Sequence, residues 1–160
     1  MAVSLADEVG AGLDGLAQLR ALMQSGRRPG ILQSLDFEFV EAEAGRAVFA
    51  GTPGDHAYNP IGTVHGGYAA TLLDSACGCA THSRLSPTQA YTTLELKVAY
   101  QKAITRETGR LVAEGRVTSF GRRAAFAEAT LKDAEGRLYA SATSTLLVFE
   151  RAPKPAVGGA

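Results

Sequence analysis

Disulfide-forming cysteine is scarce in this sequence: of 160 residues only Cys77 and Cys79 are cysteines. A single residue separates them, too little for an ordinary structural bridge, so a disulfide-built scaffold is excluded. An excess of charge of either sign is also missing, because sixteen basic residues balance sixteen acidic ones. No overall field then draws in nucleic acid or an anionic membrane. Long apolar runs are absent too, and Asp7, Glu8 and Asp14 interrupt the N-terminal segment where a leader would carry its apolar stretch. A cytoplasmic protein without nucleic-acid or membrane partners is expected. Internal repeats are not found.

What remains is enough for one domain with a real core, since 46% of the residues are apolar. Leu5, Val9, Leu13, Leu16, Leu19 and Leu22 recur every three or four residues and predict one amphipathic helix, ended by Ser25-Gly26 and Pro29-Gly30. Leu35 to Val40 alternates as a strand, and Ala47-Val48-Phe49 returns after the Glu43-Ala44-Gly45 turn. Between this hairpin and four later strands (Thr92–Tyr100, Leu111–Phe120, Ala124–Lys132, Leu138–Phe149) lies a second helical pattern. There Ala69, Leu72, Leu73, Ala76, Cys77 and Ala80 share one face. Helix, two strands, helix, four strands makes an α+β domain with an antiparallel sheet wrapped around the central helix. The division expected is a helical segment over 1–32, a main domain over 33–150 and a disordered tail over 151–160, rich in Pro, Gly and Ala.

From His56 to Ser83 the only side chain certain to be charged is Asp74. A helix with no other charge is predicted to be buried nearly all round. A lone carboxylate taken out of water costs several kcal/mol, of order, unless it is paired. Either Asp74 is a structural acid held by Thr71, Ser75 or backbone amides, or it is a general base. Small neighbours (Gly67, Ala70, Thr71, Gly78) leave room for a ligand, or for close helix packing. His65-Gly66-Gly67 opens the same helix, where unpaired backbone N–H groups can polarise a carbonyl. The alternatives are a helix start crowded against a strand and a hydrogen-bonded structural histidine. Gly66 and Asp74 are eight residues apart, roughly 12 Å along a helix axis. If both act on one carbonyl, two antiparallel copies of the helix must each contribute one group.

The run Asn59-Pro60-Ile61-Gly62-Thr63-Val64-His65-Gly66-Gly67, followed by Leu73-Asp74, resembles the hot-dog-fold acyl-CoA thioesterases. It is most similar to the phenylacetyl-CoA and 4-hydroxybenzoyl-CoA branch, over residues 33 to 150. The resemblance implies hydrolysis of an acyl-CoA thioester in a dimer or a tetramer built as a dimer of dimers, with no cofactor beyond the coenzyme A of the substrate. It places Asp74 as general base or nucleophile and the Gly66 amide on the thioester oxygen. Asn59 is placed on the thioester or the water, and His65 orients the loop. Gly67 and Ser75 are expected beside the substrate. Some members carry a hydroxyl residue one turn after the acid; here that position is Gly78, and Ser75 or Thr71 is left to hold the water. Coenzyme A also needs cations for its phosphates, and Arg122 and Arg123 after Gly121 are the best candidates. The other readings weighed are a metal site on Cys77, Cys79 and His82, a thiol nucleophile, a hot-dog dehydratase, and a non-enzymatic acyl-CoA-binding or sensing domain.

Overall fold

The computed structural model describes residues 4–152; the tail from residue 153 on lies outside the described residues. The predicted N-terminal helix is two helices, α1 (Leu5–Gly10) and α2 (Gly15–Gln24). The leucine period runs straight through the break, but Gly12 turns the chain at φ 78° and the Asp14 carboxylate accepts the Ala17 N–H to start a new helix. Pro29-Gly30, read as a stop, is instead a start: Pro29 is the N-cap of the short α3 (Gly30–Ser34). Leu35 therefore ends a helix rather than opening a strand, and Asp36 turns at φ 50° before β1 (Phe37–Glu43) begins.

The remaining elements are β2 (Arg46–Gly51), α4 (Gly66–His82), β3 (Gln89–Tyr100), β4 (Leu111–Phe120), β5 (Ala124–Asp133) and β6 (Leu138–Glu150). All six strands form one sheet in the order β1-β2-β4-β5-β6-β3, every pair antiparallel. The long helix α4 packs on every strand, so the sheet curls round it. All six residues predicted for its core face, from Ala69 to Ala80, are inaccessible to solvent. Close approach is possible because Gly115 of β4 has no side chain; a Cβ there would run into the Ala76 carbonyl and the Cys77 amide. The first tail residue, Arg151, is anchored, donating from its amide to the Thr88 carbonyl (2.8 Å) and pairing with Asp7 (2.5 Å).

Burial of α4 is not complete. Residues 70, 71, 74, 75 and 79 are half-buried. They lie on the side facing the gap between the two free edges of the curled sheet, β1 and β3. The segment from α2 to α3 closes over that gap, packing on α4 and β1.

Candidate active site

Asp74 looks into this gap. A cavity of about 450 Å³ there is lined by Asp74, Ser75, Gly78 and Cys79 of α4, Phe39 and Phe49 of the first hairpin, and Tyr91 and Thr93 of β3. Leu22, Met23, Pro29, Ile31 and Leu32 supply the outer wall, with Arg27, Arg28 and Glu38 as its charged members. Phe39 and Phe49 stack at 4.5 Å and make one wall flat and apolar. The N-terminal helices thus bound the acid's cavity rather than cover an outer face.

Neither Thr71 nor Ser75 holds the carboxylate. Thr71 turns its hydroxyl back to the Gly67 carbonyl (2.7 Å), the usual habit of threonine inside a helix. The partner of Asp74 is Thr93, whose hydroxyl donates to Oδ1 at 3.2 Å from β3. A simple alternation of β3 would put Thr93 and Leu96 on opposite faces. The pairing register with β6 instead slips between Thr93 and Glu95, leaving Leu94 as the extra residue and 61% exposed. The bulge lets Tyr91 and Thr93 face the helix before it, and Leu96 and Val98 pack on the core after it.

The thiols beside the acid are poor nucleophiles. Burial, then the charge of Asp74, pushes Cys77 and Cys79 up to about 12. Burial likewise holds Tyr91 well above the ordinary phenol range, so its hydroxyl stays protonated. His82 is half-buried against Gln18 (2.9 Å), and desolvation pushes it down to about 4.

The other predicted group lies elsewhere. Gly66, Asn59, Tyr100 and Lys102 line a second cavity of about 300 Å³, which shares no residue with the first. His65 is the N-cap of α4; its Nδ1 accepts the Gly67 N–H at 2.8 Å. That bond uses the Gly67 amide and leaves the Gly66 amide without an acceptor among the described residues. The Tyr100 hydroxyl donates to the Gly66 carbonyl (2.9 Å), fixing the peptide from outside. Asn59 closes its own loop, Oδ1 accepting the Ile61 N–H (3.0 Å) and Nδ2 donating to Thr63 Oγ1 (3.0 Å). Arg122 and Arg123 reach neither cavity; they line a groove with Leu147 to Glu150 at the β4–β5 corner. The cation that does share a cavity with Gly66 is Lys102, at the other end of the basic stretch that closes with Arg122 and Arg123.

Residues 61–140, half of the chain and the stretch that carries both Gly66 and Asp74, match the family model of the thioesterase superfamily. The chain belongs to this superfamily. No match is found among curated proteins. A thioesterase family protein from Silicibacter pomeroyi is 27% identical with TM-score 0.72, covering 81% of this chain and 96% of its own. A Streptococcus mutans protein solved with acetyl-CoA bound is 27% identical with TM-score 0.65, covering 73% of this chain and 91% of its own. A thioesterase from Haemophilus influenzae has the same fold at TM-score 0.73 and 17% identity, over 82% of this chain and 90% of its own. The sheet curled about α4 is therefore the superfamily's hot-dog fold. Among the described residues, no helix is long and apolar enough to cross a membrane.

Proposed function

We propose that this member of the thioesterase superfamily hydrolyses acyl-CoA thioesters, with Asp74 as general base. The carrying observation is the placement of Asp74, the only carboxylate and the only charged side chain of α4, in a largely apolar cavity. Thr93 occupies Oδ1, which leaves Oδ2 to take a proton from water. The water oxygen adds to the thioester carbon, the carbonyl becomes an oxyanion, and the C–S bond breaks as that oxyanion collapses. The coenzyme A thiolate leaves and takes the proton that Asp74 holds, so that the free acid and coenzyme A are released and the carboxylate is restored.

The oxyanion needs a donor beside the thioester carbonyl. The unpaired Gly66 amide supplies it in this reading, from a second copy of the chain. The outer edge of β3 suits such a copy, being twelve residues long and free of strand partners on that side among the described residues, with Leu94 and Tyr100 exposed on it. Thr93 contacts Asp74 and Tyr100 contacts Gly66. Two β3 strands paired antiparallel about Leu96–Lys97 set Thr93 of one copy opposite Tyr100 of the other. Each Asp74 then faces the other copy's Gly66.

The acyl group enters the Asp74 cavity, whose Phe39–Phe49 wall suits the aromatic acyl groups of the phenylacetyl-CoA and 4-hydroxybenzoyl-CoA branch. Ser75 lines the same cavity beside the thioester, and Lys102 near Gly66 takes a coenzyme A phosphate. Arg122 and Arg123 serve the nucleotide only from another subunit.

The test is release of free thiol from phenylacetyl-, benzoyl-, hexanoyl- and palmitoyl-CoA by the wild type and by Asp74→Asn. Asparagine keeps the shape and can still accept from Thr93 but cannot take the proton. A loss of at least about 100-fold in kcat is expected. Equal turnover by the two proteins, or binding of acyl-CoA without hydrolysis by the wild type, would refute the reading.

A further inference from the structure

Residue 78 follows Asp74 by one helical turn and points into the same cavity, yet it is glycine. The space above it is not vacant. A Cβ on Gly78 would meet the Tyr91 hydroxyl at 2.8 Å, whereas the nearest ring carbons lie at 3.4 and 3.5 Å, ordinary contact. The glycine and the tyrosine are thus matched: only the hydroxyl of Tyr91 requires that residue 78 have no side chain. The ring is held edge-on against His82 at 5.8 Å and packs on the core, so the hydroxyl has a defined place. Among the described residues it makes no hydrogen bond, although Thr93, two residues on, spends its own on Asp74.

We infer that the Tyr91 hydroxyl holds the attacking water for Asp74, reaching in from β3 to the place that a side chain on residue 78 would otherwise fill. This rests on the thioesterase reading above. The span fits. Side chains one turn apart on a helix are about 5–6 Å apart, and a water bridging two partners through hydrogen bonds of about 2.8 Å covers that distance. Thr93 then fixes one carboxylate oxygen, Tyr91 fixes the water, and the other carboxylate oxygen takes its proton. Burial keeps the phenol protonated, so it donates across the working pH range.

The experiment uses the full chain in four forms beside Asp74→Asn: wild type, Tyr91→Phe, Gly78→Ser, and the double variant. Tyr91→Phe removes one oxygen and leaves the ring on His82; kcat should fall about tenfold, the worth of one hydrogen bond, with KM unchanged. Gly78→Ser alone should also lose activity, because its Cβ meets the Tyr91 hydroxyl. Together, the ring carbons at 3.4 and 3.5 Å leave room for the serine, whose hydroxyl returns from the helix side, and kcat should recover most of the loss. A merely structural role for Tyr91 predicts wild-type kcat in Tyr91→Phe, the double variant then only relieving the clash that Gly78→Ser introduces. Provided that Asp74→Asn has lost the wild-type activity, an unchanged kcat in Tyr91→Phe, or no recovery in the double variant, overturns the assignment of Tyr91 alone. Wild type and Asp74→Asn equally inert would overturn the thioesterase reading, and this inference with it.

Discussion

Gly115→Ala is a one-carbon change that touches neither cavity, yet it should damage both stability and the candidate site. The added Cβ is directed at the Ala76 carbonyl and the Cys77 amide. Both are backbone atoms in the middle of α4, so no side chain can swing aside. Ordinary contact requires about 3.5 Å between carbons, which means α4 must rise from the sheet by about 1 Å. Its core face is fully buried in a close-packed interior, so the rise strains contacts along the helix. Overpacking of this kind costs about 1–3 kcal/mol. For a chain of this length each kcal/mol lowers Tm by about 2–4 °C, so a fall of about 2–12 °C is expected. Asp74 lies two residues before Ala76 and moves with it, while Thr93 stays on β3; a bond of 3.2 Å has little to spare. Below the new Tm, kcat should drop by about 10- to 100-fold, as misplacement of a reacting group by about 1 Å does. Thermal melts and thiol release measure the two effects. A variant that melts within about 2 °C of the wild type would refute the claimed helix–sheet contact.

Stability should also depend on pH through His82. Desolvation, with Arg151 adding to it, holds the half-buried imidazole down to about 4, against 6.5 ordinarily. The unfolded chain therefore takes up a proton, between those two values, that the folded chain refuses. The contribution is fully present above about pH 6.5 and is lost as pH falls toward about 4; for a mostly buried group it is about 2–3 kcal/mol in all. His82→Gln removes this dependence, so its Tm should fall less steeply than the wild type's over that range; parallel curves would refute the assignment. At the acyl end, Met23→Trp narrows the cavity from the α2 side, and KM should rise about tenfold for palmitoyl- or phenylacetyl-CoA with little change for acetyl-CoA. An equal effect on all three would detach the N-terminal helices from substrate choice.

The buried face of α4 was legible because it obeys one period without interruption, and the ends of β4 were read although its pairing with β5 slips between Val117 and Ser119. The failures have particular causes. The leucines from Leu5 to Leu22 keep helical spacing across a glycine turn, so periodicity could not see the break at Gly12. Pro29-Gly30 stops one helix and starts another with the same residues. Asp74 was readable as the one charge in an uncharged stretch, but its partner was not: Thr71 and Ser75 are near it in sequence, and Thr93 is near it in space. Alternation through β3 puts Thr93 with Glu95 and Lys97, away from Leu96. Only the bulge at Leu94 reverses this, and Thr93-Leu94-Glu95 carries no glycine or proline to announce it. The same bulge hides Tyr91. Its one signal was the glycine one turn beyond the acid, where a hydroxyl residue was expected.

The division of labour along the chain follows from how the sheet closes. A six-stranded sheet curled about one helix covers most of that helix but must leave a seam where its edges fail to pair. Here the edges are β1 and β3, and Asp74 is on the side of α4 that faces the seam. A carboxylate in that position is neither sealed in the core nor open to bulk water, and the seam must be filled by something. Residues 61–140, which match the superfamily, contain the helix, the acid and β3, but nothing of β1, β2 or the N-terminal helices. Those contribute Leu22, Met23, Ile31, Phe39 and Phe49, the apolar walls against which an acyl group would lie. In the proposed reading, the chemistry is thus encoded in one half of the chain and the fit to the acyl group largely in the other. Substitutions among those five residues can then change which thioester is accepted while leaving Asp74, Thr93 and Gly66 where they are.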